Sequence, residues 1–306
     1  MAKILVATEK PFAKAAVDQI KALVEEAGFE FALLEKYTDK QQLLDAVKDA
    51  AALIVRSDKI TREVLDAAKE LKIVVRAGAG YDNLDLEACT EKGVVAMNTP
   101  GQNSNAVAEL ALGMMVFMAR NKFNGTAGTE LRGKKLGIHA YGNVGYYVAK
   151  IAKGFGMEVY AFDPFVAKEK IEADGVKAVD TVDELYSTCQ YVSLHIPAND
   201  KTKKSINAEL LSKMPAKAVL VNTARKEVID EESVLGLMAE REDLIYISDI
   251  APDNDGFLND YADRVFFTPK KMGAQTAEAN INAGVAAAKQ IIGYINNGDE
   301  TFRVNK

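Results

Sequence analysis

The sequence predicts an α/β fold made of two doubly wound parallel-sheet domains. Three features of its 306 residues lead to this prediction. Short apolar segments alternate with helical patterns, a glycine-containing turn joins an apolar segment to a helix at residues 136–145, and the later apolar segments all end in polar residues. Such alternation is typical of strand–helix–strand units, whose strands lie parallel in one sheet.

The first hundred residues predict one small domain of this type. Its strands are predicted at Ile4–Ala7, Phe29–Leu34, Ala52–Val55 and Ile73–Val75, and its helices at Ala13–Ala27, Gln41–Ala50 and Thr61–Lys69, with Thr61 as a helix cap. The last helix, Ala277–Asn296, is expected to return to this domain. We therefore predict a discontinuous substrate-binding domain, residues 1–98 and 280–306, and a larger domain of residues 99–279.

Composition and charge describe a globular chain with an ample apolar core. Hydrophobic residues make up 48% and charged residues 27%, and the formal net charge is −6. This charge offers no basic surface for nucleic acid or an anionic membrane, and no apolar run has bilayer-spanning length. Cys89 and Cys189 lack the spacing of a metal site, so we expect reduced thiols, no metal and a cytoplasmic location.

The turn at residues 136–145 is typical of dinucleotide binding, which makes the larger domain a Rossmann domain. Gly142 lets the backbone approach a pyrophosphate, and Gly145 lets the following helix pack closely on the strand. That helix is predicted to begin near Asn143, and its N-terminal amides attract phosphate. The turn departs from the usual pattern in one place, because Ala140 stands where the first glycine is expected.

An acidic residue follows at the spacing that distinguishes NAD from NADP. The next predicted strand, Met157–Phe162, ends at Asp163, roughly 20 residues after the glycines. A carboxylate in this position accepts hydrogen bonds from the adenosine ribose and repels a 2′-phosphate. The sequence therefore predicts NAD as the cofactor.

Further strands of the larger domain are predicted to end at one sheet edge. They are Tyr191–Leu194, Ala218–Val221, Ile245–Ser248 and Val265–Phe267, and the residues that follow them are polar. In open α/β sheets the ligand lies outside the carboxyl ends of the strands. This edge is therefore predicted to hold cofactor and substrate.

The chain resembles the D-2-hydroxyacid dehydrogenases over nearly its whole length. The resemblance rests on Val55–Ser57, Arg76–Asn83, Asn98–Asn103 with Val107–Glu109, Leu194–Pro197 and Asn222–Arg225. It implies hydride transfer from a small 2-hydroxy acid to NAD. That reaction needs a cation for the carboxylate, a base for the hydroxyl proton and a fixed nicotinamide. Because the chain ends at Lys306, a short form without a following regulatory domain is expected.

The resemblance also implies individual site residues. Arg225 matches the family's catalytic arginine, with a surface arginine as the alternative, and Asp249 matches the aspartate that holds the nicotinamide carboxamide, with a simple capping residue as the alternative. We expect substrate contacts from Arg56, Ser57, Arg76, Gly78, Ala79 and Asn103. We expect cofactor contacts from Tyr141, Gly142, Asn143, Val144, Gly145, Asp163, His195, Ile196, Pro197, Thr202, Thr223, Ala224, Asp249 and Gly273.

The family's proton relay, a histidine held by a glutamate, has no counterpart in this sequence. The glutamate position falls on Asn254, which has acidic neighbours on both sides. The histidine position falls on Lys271 if the chain is anchored on Gly273, and on Lys270 if it is anchored on Thr268–Pro269. We predict Lys271 as the proton acceptor, with Lys270 as the alternative and two solvated loop charges as the plainer interpretation.

The loss of the glutamate suits a lysine base. A carboxylate partner would raise the already high pKa of an amine, whereas Arg225 and a positive nicotinamide would favour the neutral amine. This resembles a short, lysine-containing subclass of the family.

The remaining candidates are Arg56, Ser57 and the two histidines. Arg56 and Ser57 suit a phosphate on the far end of the substrate, and the alternative is a helix-capping serine beside an exposed arginine. His139 is predicted to be a core histidine. His195 matches a cofactor-lining position and not the family's proton donor.

The leading functional prediction is oxidation of 3-phospho-D-glycerate to 3-phosphohydroxypyruvate, the first step of phosphorylated serine biosynthesis. The alternatives are an NADH-dependent reductase of glyoxylate or hydroxypyruvate and a non-catalytic NADH-binding corepressor. The expected partner is a phosphorylated 2-hydroxy acid, with no nucleic acid and no membrane. A homodimer is expected around the apolar helix Ala106–Ala119, which has few polar positions to face solvent.

Overall fold

The computed structural model describes residues 1–305, and strands alternate with helices along them. The strands are β1 (Lys3–Thr8), β2 (Glu30–Glu35), β3 (Ala52–Val55), β4 (Ile73–Arg76), β5 (Val95–Asn98), β6 (Lys135–His139), β7 (Glu158–Phe162), β8 (Lys177–Ala178), β9 (Tyr191–Leu194), β10 (Val219–Asn222), β11 (Ile245–Ser248) and β12 (Val265–Phe267). The α-helices are α1 (Lys14–Glu26), α2 (Lys40–Ala46), α3 (Arg62–Ala67), α4 (Leu86–Glu91), α5 (Ser104–Ala119), α6 (Asn143–Gly154), α7 (Lys168–Ala173), α8 (Val182–Thr188), α9 (Ala208–Ser212), α10 (Glu231–Glu240), α11 (Gly256–Tyr261) and α12 (Ala277–Asn297).

The chain forms two compact units, each built on one parallel sheet. Unit 1 comprises Met1–Asn103 and Gln275–Lys306, and unit 2 comprises Ser104–Ala274. The sheet of unit 1 has the strand order β2-β1-β3-β4-β5, and the sheet of unit 2 has the order β12-β11-β10-β9-β6-β7-β8. The paired strands run parallel in both sheets, which confirms the predicted α/β fold class.

The strand order of unit 2 creates the opening that a dinucleotide needs. From β6 the chain first moves outward to β7 and β8, and it then returns to place β9 on the other side of β6. The connections that leave β6 and β9 therefore diverge at the carboxyl edge of the sheet. In doubly wound folds the ligand binds at this switch point.

Apolar side chains cover both faces of each sheet. In β10, Val219 and Val221 belong to one core cluster of unit 2, and Leu220 belongs to the other. Successive side chains of a strand point to opposite faces, so the two clusters flank the sheet. Burial on both sides explains why β3 is a continuous apolar run, and why β9 and β10 are apolar apart from Ser193 and Asn222.

Helix α5 packs largely within its own unit. Val107, Leu112 and Met115 are among its buried residues, and the helix packs against α6. Its exposed positions include Asn105 and Glu109. Most of the apolar side chains of α5, which suggested a subunit interface, are therefore buried within the chain itself.

Some local expectations were wrong or incomplete. Thr61 occupies the N-cap of α3, but its hydroxyl makes no capping hydrogen bond. Helix α2 ends at Ala46, earlier than predicted. Strands β5 and β8 and the helices α4 and α7–α11 were not predicted; β8 has only two residues, and most of these helices have five to seven, too few to show a clear periodicity.

Candidate functional site

The turn between β6 and α6 is shaped for close approach of a ligand. Ala140 has a φ of +80°, a left-handed conformation that costs an L-residue roughly 1–2 kcal/mol and that glycine adopts freely. A Cβ at Gly145 would lie 2.5 Å from the Ala140 carbonyl oxygen and 3.0 Å from Ile138 Cγ2. The close helix–strand contact predicted for Gly145 is therefore present. By contrast, a Cβ at Gly142 would meet nothing within 4 Å.

Asp163 ties this turn to the end of β7. Its Oδ2 accepts a hydrogen bond from the Tyr141 amide at 2.7 Å, and its Oδ1 accepts one from the Phe165 amide at 2.8 Å. A carboxylate has about four acceptor positions, so capacity remains for ribose hydroxyls. The Tyr141 side chain is buried, and its hydroxyl donates to Asp174 Oδ2 at 3.1 Å. Tyr141 thus contributes its backbone, not its ring, to the turn.

These residues fit an NAD molecule. The N-cap of α6, Gly142, and its first residue, Asn143, are exposed, so the amides at the helix N-terminus can reach phosphate. Val144 is half-buried in the same first turn. At the end of β10, the Thr223 hydroxyl is buried and has no hydrogen-bond partner within residues 1–305. A buried hydroxyl without a partner at the cofactor edge is what a polar group of a bound ligand would satisfy.

The segment after β9 forms a compact loop. Thr202 Oγ1 donates to the Pro197 carbonyl oxygen at 2.5 Å and accepts from the Asn199 amide at 2.9 Å, so Thr202 closes the loop. Ile196 is buried and Pro197 is exposed. The structure places these residues at the same sheet edge as the glycine turn, since β9 pairs with β6.

The two histidines are neutral structural groups at physiological pH. Burial lowers the pKa of His195 to about 3, and its Nε2 lies 3.0 Å from Ser193 Oγ. Burial also lowers the pKa of His139 to about 4, and its Nδ1 lies 3.2 Å from Tyr186 Oη. The prediction that His139 is a core histidine is confirmed. Neither imidazole is positioned as the family's proton acceptor.

A cluster of charged groups lies beyond the carboxyl ends of β10 and β11. The Asn222 side chain accepts from the Ala224 amide at 2.9 Å and donates to the Arg225 carbonyl oxygen at 3.0 Å, which fixes the turn that presents Arg225. The Ala224 carbonyl oxygen accepts from Arg225 Nη1 at 3.3 Å and also from Lys271 Nζ. The Arg225 guanidinium and the Lys271 amine therefore lie next to each other, because both donate to the same carbonyl oxygen.

Asp249 is the carboxylate of this cluster. It is 1% exposed, its Oδ1 lies 3.3 Å from Lys271 Nζ, and its Oδ2 accepts from the Gly273 amide at 3.2 Å. A Cβ at position 273 would lie 2.9 Å from this Oδ2 and 3.1 Å from Val107 Cγ2. Within the protein, then, residue 273 is a glycine because the backbone passes close to Asp249.

Burial shifts the two titratable members of the cluster in opposite directions. Burial lowers the pKa of the Lys271 amine; the Asp249 carboxylate opposes this shift, and the Arg225 guanidinium adds to it. Burial raises the pKa of Asp249, against the influence of Lys271 and the Gly273 amide. An amine with a lowered pKa loses its proton closer to neutral pH, which a general base requires.

Asn254 lies outside this cluster. Its Oδ1 accepts from the Gly256 amide at 2.9 Å, and its own amide donates to Glu231 Oε2 at 2.9 Å. The structure does not bring Asn254 to Lys271, so a match to the family's glutamate position does not translate into a partner for the amine. The side chain of Lys270 is exposed, and in the described chain its amine has no hydrogen bond or ion pair.

In unit 1, Arg56 is held by the protein itself. Its Nη1 donates to the carbonyl oxygens of Lys10 (3.1 Å) and Pro11 (2.9 Å), and its Nη2 donates to Asn280 Oδ1 at 2.6 Å. The guanidinium also lies over the Phe12 ring, 5.2 Å from its centroid. Arg56 is thus neither a simple surface arginine nor an unengaged phosphate ligand.

The turn after Arg56 depends on a residue that the sequence did not single out. Buried Asp58 accepts from the Glu9 amide and the Tyr37 hydroxyl, each at 2.7 Å, and from the Arg56 amide at 3.2 Å. Ser57 between them is exposed. The sequence did contain an indication of this role, because Asp58 directly follows Arg56 and Ser57 at the end of the strand.

The glycine-rich segment after β4 has a distinctive backbone. Gly78 has a φ of +145°, and the Arg76 guanidinium lies where a side chain at 78 would stand. The Gly78 carbonyl oxygen accepts from the Thr99 amide at 2.9 Å, and the Ala79 carbonyl oxygen accepts from Asn98 Nδ2 at 2.6 Å. The amides of Gly78 and Ala79 donate to no protein acceptor in the described residues. Asn103, half-buried, ends the first segment of this unit.

Two kinds of feature do not occur within residues 1–305. No helix there is long and apolar enough to cross a bilayer. No cluster of histidine, cysteine, aspartate or glutamate side chains in that range is arranged to hold a metal ion.

The sheet topology, the glycine turn and the cluster at the strand ends define an NAD-binding domain of the dehydrogenase class. The family described as D-isomer specific 2-hydroxyacid dehydrogenase, NAD binding domain, matches residues 101–269. The chain belongs to this family.

Individual relatives support this assignment. The chain is 50% identical to the NAD⁺-bound 3-phosphoglycerate dehydrogenase of Entamoeba histolytica, with a TM-score of 0.89 and coverage of 100% of this chain and 99% of that one. It is 39% identical to D-3-phosphoglycerate dehydrogenase of Methanocaldococcus jannaschii over 82% of this chain and 51% of the relative. It is 35% identical to hydroxypyruvate reductase of Thermotoga maritima over 86% and 90%. The chain thus spans about half of the M. jannaschii enzyme but most of the other two.

Proposed function

We propose that this protein is an NAD-dependent dehydrogenase that oxidises 3-phospho-D-glycerate to 3-phosphohydroxypyruvate. The observation that carries the proposal is the shared Ala224 carbonyl oxygen, which accepts from both Arg225 and Lys271. It holds a carboxylate-binding cation beside an amine of lowered pKa. Two of the relatives described above are named phosphoglycerate dehydrogenases.

When bound, NAD⁺ would supply the hydride acceptor for C2 of the substrate, and the glycine turn, Asp163 and Asp249 would hold it. Arg225 binds the substrate carboxylate and polarises the 2-oxygen, as a guanidinium can do with paired N–H donors. Lys271, as the neutral amine, takes the hydroxyl proton and becomes an ammonium ion. Because the amine must first be deprotonated, oxidation should become faster as the pH rises.

Unit 1 has candidate anion-binding groups of its own. The Gly78 and Ala79 amides, with Arg76 over the glycine, are suited to the negative charge of a carboxylate or phosphate. Arg56 adds positive charge, but a phosphate would have to share it with its three protein acceptors. We therefore expect the Arg56 guanidinium to keep its position and to act on the substrate through its positive charge.

A second candidate is an NADH-dependent hydroxypyruvate reductase. It is favoured by the T. maritima relative, which is matched over 90% of its length. The same Arg225 and Lys271 would serve this reaction in the opposite direction, with the lysine as proton donor. A non-catalytic NADH-binding corepressor is less well supported, since it would need neither group.

The formation and consumption of NADH separates these candidates. The purified protein is assayed by NADH absorbance near pH 8 to 9 with NAD⁺ and a panel of 2-hydroxy acids, and with NADH and the matching 2-oxo acids. The proposal requires the highest kcat/KM with 3-phospho-D-glycerate and 3-phosphohydroxypyruvate. A preference for glyoxylate or unphosphorylated hydroxypyruvate would favour the reductase. Absence of turnover with every acid would favour the corepressor.

We also propose a cytoplasmic homodimer. Cys89 and Cys189 are buried and unpaired, as is usual in a reducing compartment. Leu110, Val116 and Phe117 of α5 are only partly buried and could face a second copy. Light scattering at micromolar concentration tests the assembly, and a monomeric mass would remove it.

A further inference from the structure

Asp249 has a single negative charge for two prospective partners. Lys271 Nζ already lies 3.3 Å from its Oδ1, and the Gly273 amide occupies its Oδ2. In the proposed function, the same carboxylate accepts an N–H of the nicotinamide carboxamide. Asn254, at the position of the family's glutamate, does not provide a second negative charge for Lys271. Its side chain is a neutral amide, and its oxygen accepts from the Gly256 amide.

The lysine is the partner that can move. Asp249 is 1% exposed and held by the Gly273 amide, in a gap too narrow for a side chain at 273. The Lys271 side chain is 40% exposed and carries four rotatable bonds, so its amine can leave the carboxylate and stay beside the Ala224 carbonyl oxygen without disturbing the fold.

Resting on the proposed function, we infer that Asp249 exchanges partners when NAD⁺ binds. Without cofactor it holds the Lys271 ammonium group. With NAD⁺ present, Oδ1 accepts from the carboxamide in place of Lys271, and the ammonium group releases a proton to the solvent. Asp249 is therefore a positioning residue that couples cofactor binding to the preparation of the base.

The charges around the amine give this coupling its direction. The groups that act on Lys271 are Asp249 and Glu227, which stabilise its ammonium form, and Arg225, which destabilises it. Exchange removes the stronger of the two negative partners and adds the positive charge of the nicotinamide ring. Glu227 remains, but it is exposed and largely screened. The balance then favours the neutral amine, in line with the direction in which burial already moves the pKa of Lys271.

The proton balance is simple. On binding, the ammonium group loses one proton to the buffer, and no bond other than N–H is broken. During oxidation the resulting amine accepts the hydroxyl proton of the substrate. By linkage, a ligand whose binding releases a proton must bind more tightly as the pH rises through the pKa of that group.

Isothermal titration calorimetry of NAD⁺ binding tests the inference without any substrate. Titrations at pH 8.5 in two buffers of different ionisation enthalpy give the number of protons released per site. We expect measurable proton release for NAD⁺ in the wild-type protein and less for NADH, whose nicotinamide is uncharged. Lys271→Met should abolish the release, and Lys270→Met should leave it unchanged. Wild-type binding without proton release, or equal release by Lys271→Met, would overturn the inference.

A second readout separates Asp249 from a purely structural role. Asp249→Asn keeps the size and one acceptor of the side chain but removes its charge, so the ammonium is no longer stabilised before binding. Proton release should fall well below the wild-type value, and NAD⁺ affinity should lose its rise with pH. Wild-type proton release by a folded Asp249→Asn variant would also overturn the inference.

Failure of the partner exchange and failure of the proposed dehydrogenase function give different experimental results. Absence of turnover with every hydroxy acid, combined with Lys271-dependent proton release, would reject the dehydrogenase assignment but support the exchange. Turnover of 3-phospho-D-glycerate without proton release on NAD⁺ binding would support the dehydrogenase assignment and reject the exchange.

Discussion

The two glycines of the β6–α6 turn have different tasks, and alanine substitutions should separate them. At position 145 a new Cβ would lie 2.5 Å from the Ala140 carbonyl oxygen, whereas at position 142 it would meet nothing within 4 Å. Residue 142 has a φ of −81°, which alanine adopts without strain. Gly145→Ala should therefore damage both folding and NADH binding, and Gly142→Ala should damage NADH binding alone.

The size of the first effect follows from the contact. Carbon and oxygen atoms need about 3.5 Å of separation, so helix α6 or the turn must move by nearly 1 Å. Both neighbours of the new methyl group, the Ala140 backbone and Ile138 Cγ2, are firmly placed. Overpacking of this kind costs about 1–3 kcal/mol. Because the shift also moves the helix N-terminus away from the phosphates, NADH binding should weaken by roughly tenfold or more.

Urea unfolding and NADH fluorescence titration measure the two effects separately. Gly142→Ala should keep its free energy of unfolding within about 0.5 kcal/mol of wild type while losing affinity, since its methyl group takes the space of the pyrophosphate. Gly154→Ala, at the exposed end of α6 with nothing within 4 Å, is the matched control and should lose neither. Wild-type NADH affinity in Gly142→Ala, or wild-type stability in Gly145→Ala, would refute this account of the turn.

Further expectations concern selectivity and pH. The wild-type protein should bind NADH at least about tenfold more tightly than NADPH, and Asp163→Asn should narrow that ratio in the same fluorescence titration, because a negative group no longer faces the 2′-phosphate. Arg56→Ala should weaken 3-phospho-D-glycerate by about 1.5–3 kcal/mol but affect a short acid without phosphate much less; equal losses in kcat/KM would mean that Arg56 acts only through its hydrogen bonds to Asn280 and the β1–α1 segment. Because burial lowers the pKa of His139 to about 4 from 6.5, only the unfolded chain takes up its proton between these values, so stability falls as the pH drops through this range. In urea unfolding, His139→Gln should lose roughly 2–3 kcal/mol less than wild type between pH 7 and pH 4.5, and a loss equal to that of wild type would mean that other groups cause the acid sensitivity.

The fold was largely predictable because its central strands are buried on both faces. Strands such as β3 and β9 are short runs of apolar residues between helical patterns, and their predicted bounds agree with the structure. The edge strand β8 has two residues and no apolar run, so the sequence holds no signal for it.

The candidate site was predictable only where it depends on the strand ends. The positions of Arg225 and Asp249 follow from the strands before them. The partner of Arg56 does not, since Asn280 is 224 residues away along the chain. Asn254 was placed by counting from Asp249, and counting cannot show how the intervening loop turns its side chain toward Gly256.

The most direct test of the account is the steady-state rate of the Lys271→Met variant. This change keeps an unbranched side chain of similar length and removes only the amine that lies against Asp249 and the Ala224 carbonyl oxygen. We expect kcat for oxidation of 3-phospho-D-glycerate to fall by about 10²–10⁴, with NADH affinity nearly unchanged, as on loss of a general base. Lys270→Met, the neighbouring control, should turn over at nearly the wild-type rate. Near-wild-type turnover by Lys271→Met would contradict the account, and a collapse of Lys270→Met in its place would move the role of proton acceptor to Lys270.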